Sequence, residues 1–194
     1  MKLIHFALAC AFGVVTPAAA QTVDPLQSPE LIHKAINRPG TAWTFYGPGL
    51  TKKVLKDADL PGGEFIRATV SQKGANPWDA GASYEVDKAI KAGDVIFFAI
   101  YMRAPELNGD ETASIPGMGV GQANAPYGAI AMSNARASNH WGVFYAAAKA
   151  PADSPRGQAR VSVQLAADKQ VVDLGPVFVL DLGPDYDLST LPHN

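Results

Sequence analysis

The run Lys73-Gly74-Ala75-Asn76-Pro77-Trp78-Asp79-Ala80 brings an indole, a carboxylate and a carboxamide close together in the chain. The proline ring of Pro77 disfavours a helical backbone at Asn76 and imposes an extended or turn conformation. Trp78 therefore falls in a loop among polar neighbours. An indole so placed can stack on the C–H face of a sugar ring, with Asp79 and Asn76 orienting hydroxyl groups by hydrogen bonds. The same residues also fit a structural role, in which Trp78 plugs the end of a core and Asp79 caps a turn. Aromatic chemistry alone does not choose between the two.

A second set of candidates follows from alternation. Residues 94–103 read Asp-Val-Ile-Phe-Phe-Ala-Ile-Tyr-Met-Arg. In a strand that sends Ile96, Phe98, Ile100 and Met102 into the core, Ala99, Tyr101 and Arg103 share the opposite face. By the same period Arg67 and Thr69 lie on the outer face of one strand, and Arg160, Ser162 and Gln164 on that of another. If these strands share one polar face, Arg, Tyr and Gln side chains form a groove for a polar polymer. The alternative is a solvated outer sheet with cross-strand pairs, the commoner outcome for antiparallel sheets. Tyr127, which follows Ala125-Pro126, and Trp141 are further candidates to face a ligand, although aromatics at such spacing more often belong to a core.

Signatures of catalysis are weak. His33, His140 and His193 are isolated and lack metal-ligand spacing, and no G-x-S-x-G elbow occurs. Glu106, Asp110 and Glu111 could serve as acid and base, as could His140 with Tyr127, so a small secreted hydrolase or lyase acting on polysaccharide stays open as an alternative. Asp181, Asp185 and Asp187 supply hard oxygen ligands that could contribute to a structural Ca²⁺ site, but they do not follow an EF-hand pattern and fit solvated turns better. No other cofactor is expected. An envelope module that meets another protein through exposed aromatics is a third reading.

The elements that must position these residues are short. The 18 glycines and 15 prolines punctuate brief apolar runs, the pattern of an all-β chain. Alternation predicts strands at residues 64–71, 94–103, 127–133, 141–147, 158–165 and 171–182, with further segments at 31–37, 43–46 and 84–90. About nine strands suit a two-sheet antiparallel sandwich. Residues 28–36 and 84–91 fit a short helix as well. Residues 105–126, rich in Gly, Pro and Asn, read as a long loop, and loops of that length in compact domains are usually functional or disordered.

At the N-terminus, Lys2, an apolar stretch over residues 3–15 and the small-residue exit Pro17-Ala18-Ala19-Ala20 follow the order of a cleavable export signal. The stretch is too short to span a bilayer. Cys10 raises the prospect of a lipoprotein signal, but it leaves almost no hydrophobic segment upstream. Cleavage near Ala20 would give a thiol-free, secreted or periplasmic protein, with residues 21–39 leading into a single sandwich domain over 40–194. The formal net charge of −2, one unit more negative without Lys2, gives no basis for nucleic acid as a partner.

Several of these runs together resemble a known family. Gly62-Gly63 leading into Phe65-Ile66-Arg67, the Asn76-Pro77-Trp78-Asp79 run, and Gly93-Asp94 opening a strand that ends Met102-Arg103-Ala104 are similar to carbohydrate-binding modules of the family 4, 9 and 22 type. Trp141 at the start of a strand and Gly157 ahead of residues 160–165 add to the likeness, which covers residues 40–182. The resemblance implies a jelly-roll sandwich with a galactose-binding-like fold that binds a glycan or polysaccharide. In such modules a loop Trp and Tyr, Arg and Gln on a concave sheet hold the chain, and Trp78, Tyr101, Arg103 and Gln164 are the matching positions. These modules often accompany xylanases and glucanases. No catalytic domain is read here, so the resemblance implies a domain acting by itself or with a separate enzyme partner.

Overall fold

The computed structural model describes residues 24–109 and 111–194. The expected export signal over residues 1–20, with Cys10, and the candidate Asp110 lie outside the described residues. In chain order a single-turn helix α1 (Pro29–Ile32) precedes ten strands: β1 (Thr44–Tyr46), β2 (Leu50–Lys56), β3 (Glu64–Val70), β4 (Gly81–Glu85), β5 (Val95–Arg103), β6 (Ala113–Gln122), β7 (Ala129–Ala137), β8 (Gly142–Lys149), β9 (Ala159–Gln164) and β10 (Gln170–Asp181). They form two five-stranded antiparallel sheets, β1-β4-β9-β6-β7 and β2-β3-β10-β5-β8, packed as a jelly-roll sandwich. No helix among the described residues is long and apolar enough to cross a membrane.

Side-chain alternation builds the space between the sheets. Ile96, Phe98, Ile100 and Met102 of β5 point inward, as their spacing predicts, and join Val161 and Val163 of β9 and Met118 and Val120 of β6 in one buried cluster. Burying a side chain such as Phe98 contributes roughly 1.5–3 kcal/mol. The opposite face of β5 is buried too. Val95, Phe97 and Ala99 pack under Leu26, Leu31 and Ile32 from the N-terminal segment and under Leu182, Tyr186 and Leu191 from the C-terminal one. This double burial is why β5 is apolar almost throughout.

Two expectations about elements are corrected, and one strand, β2, has no counterpart among the expected segments. Residues 31–37 are not a strand: Pro29, with φ already set for a helix, starts α1, and Ala35 makes only an isolated bridge to Leu180. β2 carries Lys52, Lys53 and Lys56 along a largely exposed sheet edge, where lysines discourage edge pairing and erase the apolar alternation. The long loop expected at residues 105–126 contains β6, which is hydrogen-bonded to both β7 and β9. Its pattern is hidden because one face carries Gly117, Gly119 and Gly121. Its register also shifts between Ile115 and Met118, which accommodates Pro116 before pairing with β9 begins.

Candidate functional site

The outer face of the β1-β4-β9-β6-β7 sheet is floored by small residues. Across the strands Tyr46 is in register with Gly81, and Gly81 with Gln164. The next row runs Thr44, Ser83, Ser162, Gly119 and Met132. Because Phe45, Ala82, Val161, Val163 and Val120 face the core, these alternate residues face out. A Cβ on Gly81 would lie 2.7 Å from the Tyr46 hydroxyl, and one on Gly117 would lie 2.5 Å from Gln164 Cδ. The missing side chains therefore let Tyr46 and Gln164 lie low over neighbouring strands. The result is an open cleft of about 520 Å³ with Tyr46, Trp78 and Tyr127 as its aromatic surfaces and Gln122, Arg160, Ser162 and Gln164 as its polar groups. From Gln164 to Arg160 the strand rises about 13 Å, longer than one sugar ring.

Trp78 is held out into this cleft by its own loop. Asn76 N–H donates to Asp79 Oδ2 at 2.8 Å, Asn76 Nδ2 donates to Asp79 Oδ1 at 3.4 Å, and Asp79 N–H returns to the Asn76 carbonyl at 3.1 Å. The Ala166 N–H bonds the Pro77 carbonyl and ties the turn to the end of β9. Trp78 remains 57% exposed, so it does not plug the core. Asn76 and Asp79 bond each other and position the indole; neither lines the cleft.

Tyr127 stands at the other end, 64% exposed, with φ at 55°. Left-handed backbone costs a bulky L-residue roughly 1 kcal/mol. The turn is held by the Tyr127 N–H to the Asn124 carbonyl at 2.9 Å and by Asn124 Nδ2 to Gln158 Oε1 at 2.7 Å. The Arg160 guanidinium lies 5.8 Å from the Tyr127 ring centre. Burial raises the Tyr46 phenol above its ordinary pKa, a shift that nearby Arg160 partly opposes. Tyr46 therefore enters the cleft at neutral pH as a protonated donor.

The single polar face expected to hold Trp78, Tyr101, Arg103 and Gln164 together is not found. β3 and β5 belong to the other sheet, so Arg67, Tyr101 and Arg103 lie on the far side of the sandwich. There Asp173, fully buried, accepts from Arg67 Nε at 2.7 Å, Arg67 Nη2 at 2.9 Å and Arg103 Nε at 2.8 Å. Arg103 also stacks 4.4 Å from the ring centre of Trp141, whose indole N–H donates to Asp57 Oδ2 at 2.9 Å. That bond, the N–H of Asp59 and the charge of Arg103 hold the Asp57 carboxyl below the usual carboxylate range. The Asp173 hydrogen bonds raise the Arg67 guanidinium further. Tyr101 packs edge-on against Phe178. Trp141, expected as a ligand-facing aromatic, is instead part of this ion-pair layer. Alternation within β3, β5 and β9 was read correctly, but it carries no information about which sheet a strand joins.

The other candidates serve local structure. Glu111 Oε2 accepts from the Asn108 N–H at 3.3 Å, His140 lies in the turn between β7 and β8, and neither they nor Glu106 line the cleft. Asp181 Oδ1 accepts from the Gly183 N–H and Asp187 Oδ1 from Ser189. Among the described residues no group of three His, Cys, Asp or Glu could hold a metal ion, so Asp181, Asp185 and Asp187 do not assemble the Ca²⁺ site considered from sequence. Tyr46, Gln122 and Met132 were not among the expected site residues. The signal for Tyr46 was its alternation with the inward Trp43 and Phe45.

No family model and no curated protein matches this sequence. Solved structures do share its fold. The N-terminal xylanase 10B modules of Clostridium thermocellum, a family 22 carbohydrate-binding module with a GH10 module, complexed with xylohexaose, align over 79% of this chain at 14% identity and a TM-score of 0.56. The chain spans 30% of that protein. The first family 22 xylan-binding domain of Paenibacillus barcinonensis Xyn10C aligns over 77% of this chain and 92% of its own at 12% identity and a TM-score of 0.51. A family 4 module aligns over 72% and 86% at 14% identity and a TM-score of 0.54. The fold is thus the jelly roll of carbohydrate-binding modules of the family 4 and 22 type.

Proposed function

We propose that this domain binds a glycan chain along the outer face of the β1-β4-β9-β6-β7 sheet and does not cleave it. The observation that carries the reading is the trio of exposed aromatics, Tyr46, Trp78 and Tyr127, around a glycine-floored cleft whose polar groups are Gln122, Ser162 and Gln164. Aromatic faces match the C–H faces of sugar rings, and the amides and hydroxyls match ring hydroxyls. One of the neighbouring folds is described as xylan-binding and another is complexed with xylohexaose, so xylan is among the first polymers to try. On the reading of its N-terminus the domain works outside the cytoplasm, alone or beside a separate enzyme.

The test is calorimetric titration and affinity electrophoresis of wild type and Trp78→Ala against a panel of soluble polysaccharides and their oligosaccharides. At least one polymer is expected to bind, and Trp78→Ala to weaken it about tenfold or more, equivalent to ~1.4 kcal/mol, with little change in Tm. A polymer bound equally well by Trp78→Ala would move the site elsewhere. Release of shortened product would make the domain an enzyme.

A further inference from the structure

Arg160 differs from the other arginines on the strands: Arg136 of β7 is exposed to solvent and lines neither the cleft nor the hollow beside it. Arg67 and Arg103 spend their guanidinium groups on the buried Asp173. Arg160 faces Glu85 across the β4–β9 ladder, yet among the described residues it forms no ion pair. Its guanidinium turns to the Tyr127 ring, and its charge is felt at the Tyr46 phenol. It is half-buried and fixed by a strand whose adjacent residues, Ala159 and Val161, are buried.

Arg160 also lines a second hollow, of about 550 Å³, that continues from the aromatic cleft across Thr44 and Ser83 towards Arg38 and Arg156. The carboxylates of this hollow are Glu85 and Asp87, and Asp87 is paired with Arg38 at 3.6 Å. One cationic charge is left in excess, with Arg160 at the junction of the two hollows.

A neutral sugar needs only the hydrogen bonds that Ser162, Gln164 and Gln122 already offer. A half-shielded guanidinium without a carboxylate of its own gains most from an anion, and its planar fork matches a carboxylate through two parallel hydrogen bonds. We infer that the cleft selects glycans bearing carboxylate groups: sugar rings rest on Trp78 and Tyr127, and a uronate carboxylate is received by Arg160, with Arg156 extending the attractive field. This inference rests on the glycan-binding reading above and narrows it to acidic polysaccharides.

The experiment titrates the whole mature protein with oligogalacturonate, oligomannuronate and glucuronate-substituted xylo-oligosaccharide, each beside its carboxyl-reduced form. At least one acidic form is expected to bind tenfold or more tightly than its reduced counterpart at about 0.05 M NaCl. That advantage should shrink severalfold at about 0.5 M, because the contact is partly exposed to solvent. In Arg160→Gln the ratio of acidic to reduced affinity should fall to about one. In Arg160→Lys, which keeps the charge and loses the fork, it should be intermediate. Equal affinity for acidic and reduced forms, or a preference without salt dependence in the wild type, overturns the inference and leaves glycan binding standing. Binding of neither acidic nor neutral oligosaccharides overturns both. The salt series on the wild type decides the matter even if Arg160→Gln does not fold.

Discussion

The phenol end of Tyr46 overlies Gly81, where a Cβ would come within 2.7 Å of the hydroxyl oxygen and 2.9 Å of Cζ. The same hypothetical atom would also meet the Val163 carbonyl oxygen at 2.5 Å. Gly117 differs: the three atoms nearest its added Cβ all belong to the far end of the Gln164 side chain. A backbone carbonyl in a paired strand cannot step aside, whereas a side-chain amide can rotate away. Gly81→Ala is therefore expected to destabilise the fold by about 1–3 kcal/mol, the range for overpacking. Gly117→Ala should keep Tm close to wild type and weaken glycan binding severalfold by displacing Gln164. Urea denaturation together with calorimetry on both variants checks the contrast. A Gly117→Ala variant with full affinity would remove Gln164 from the site.

The Arg67–Asp173–Arg103 layer leads to the opposite pattern. Asp173 has no exposed surface and satisfies two guanidinium groups at once. Removing one partner of a buried ion pair leaves charge without compensation and typically costs about 3–5 kcal/mol. Asp173→Asn should lose stability on that scale while the folded fraction keeps wild-type glycan affinity. Denaturation midpoints and binding measured well below the transition separate the two effects. Lost affinity in folded Asp173→Asn would return Arg67, Tyr101 and Arg103 to the binding surface where the sequence pattern had put them.

Asp181 gives a prediction in pH. Burial raises its carboxyl above the ordinary value, and the nearby Asp94 carboxyl adds to the shift, while the Gly183 N–H and Lys34 oppose it. The folded state thus holds the Asp181 proton more tightly than the unfolded chain does. Stability from this group rises as pH falls from above its raised folded pKa towards the unfolded carboxylate value, about 3.9. Asp181→Asn should therefore raise Tm at pH 7, with the gap over wild type closing on acidification through that window. A thermal melt series from pH 7 to about 3.5 tests it, and a gap of constant size would show that the charge is not the cause. Asp57 acts in the other direction. Its lowered carboxyl favours the fold above the ordinary carboxylate value and loses that contribution as pH drops through its folded pKa.

What was legible in the sequence follows from what period-2 patterns encode. Ile96, Phe98, Ile100 and Met102 declared their face because all four are large and apolar, and the outward set Arg160, Ser162 and Gln164 was equally plain. Trp78 declared itself through Pro77, which fixes a loop conformation locally. β6 stayed hidden because a strand whose outward residues are glycines has no alternation to read, and those absent side chains are what opens the cleft. The partition of arginines between a structural layer and a binding face depends on strand order. Strand order arises from contacts distant in sequence, such as Asp173 with Arg67 and Arg103.

Tyr127 allows the ring and the backbone to be tested apart. Its φ of 55° suits glycine, and its exposed ring contributes little burial to the core. Tyr127→Gly relieves left-handed strain of roughly 1 kcal/mol, while extra freedom in the unfolded chain offsets much of that gain. Its Tm is expected to equal or slightly exceed that of wild type. Tyr127→Ala keeps the strain and removes the same ring. Both variants should lose glycan affinity to the same extent, about tenfold, because the binding loss comes from the missing aromatic surface and not from the turn. If Tyr127→Gly binds more weakly than Tyr127→Ala, the turn conformation matters to the site beyond the ring it carries. If both bind as wild type does, the cleft ends at Trp78 and Tyr46.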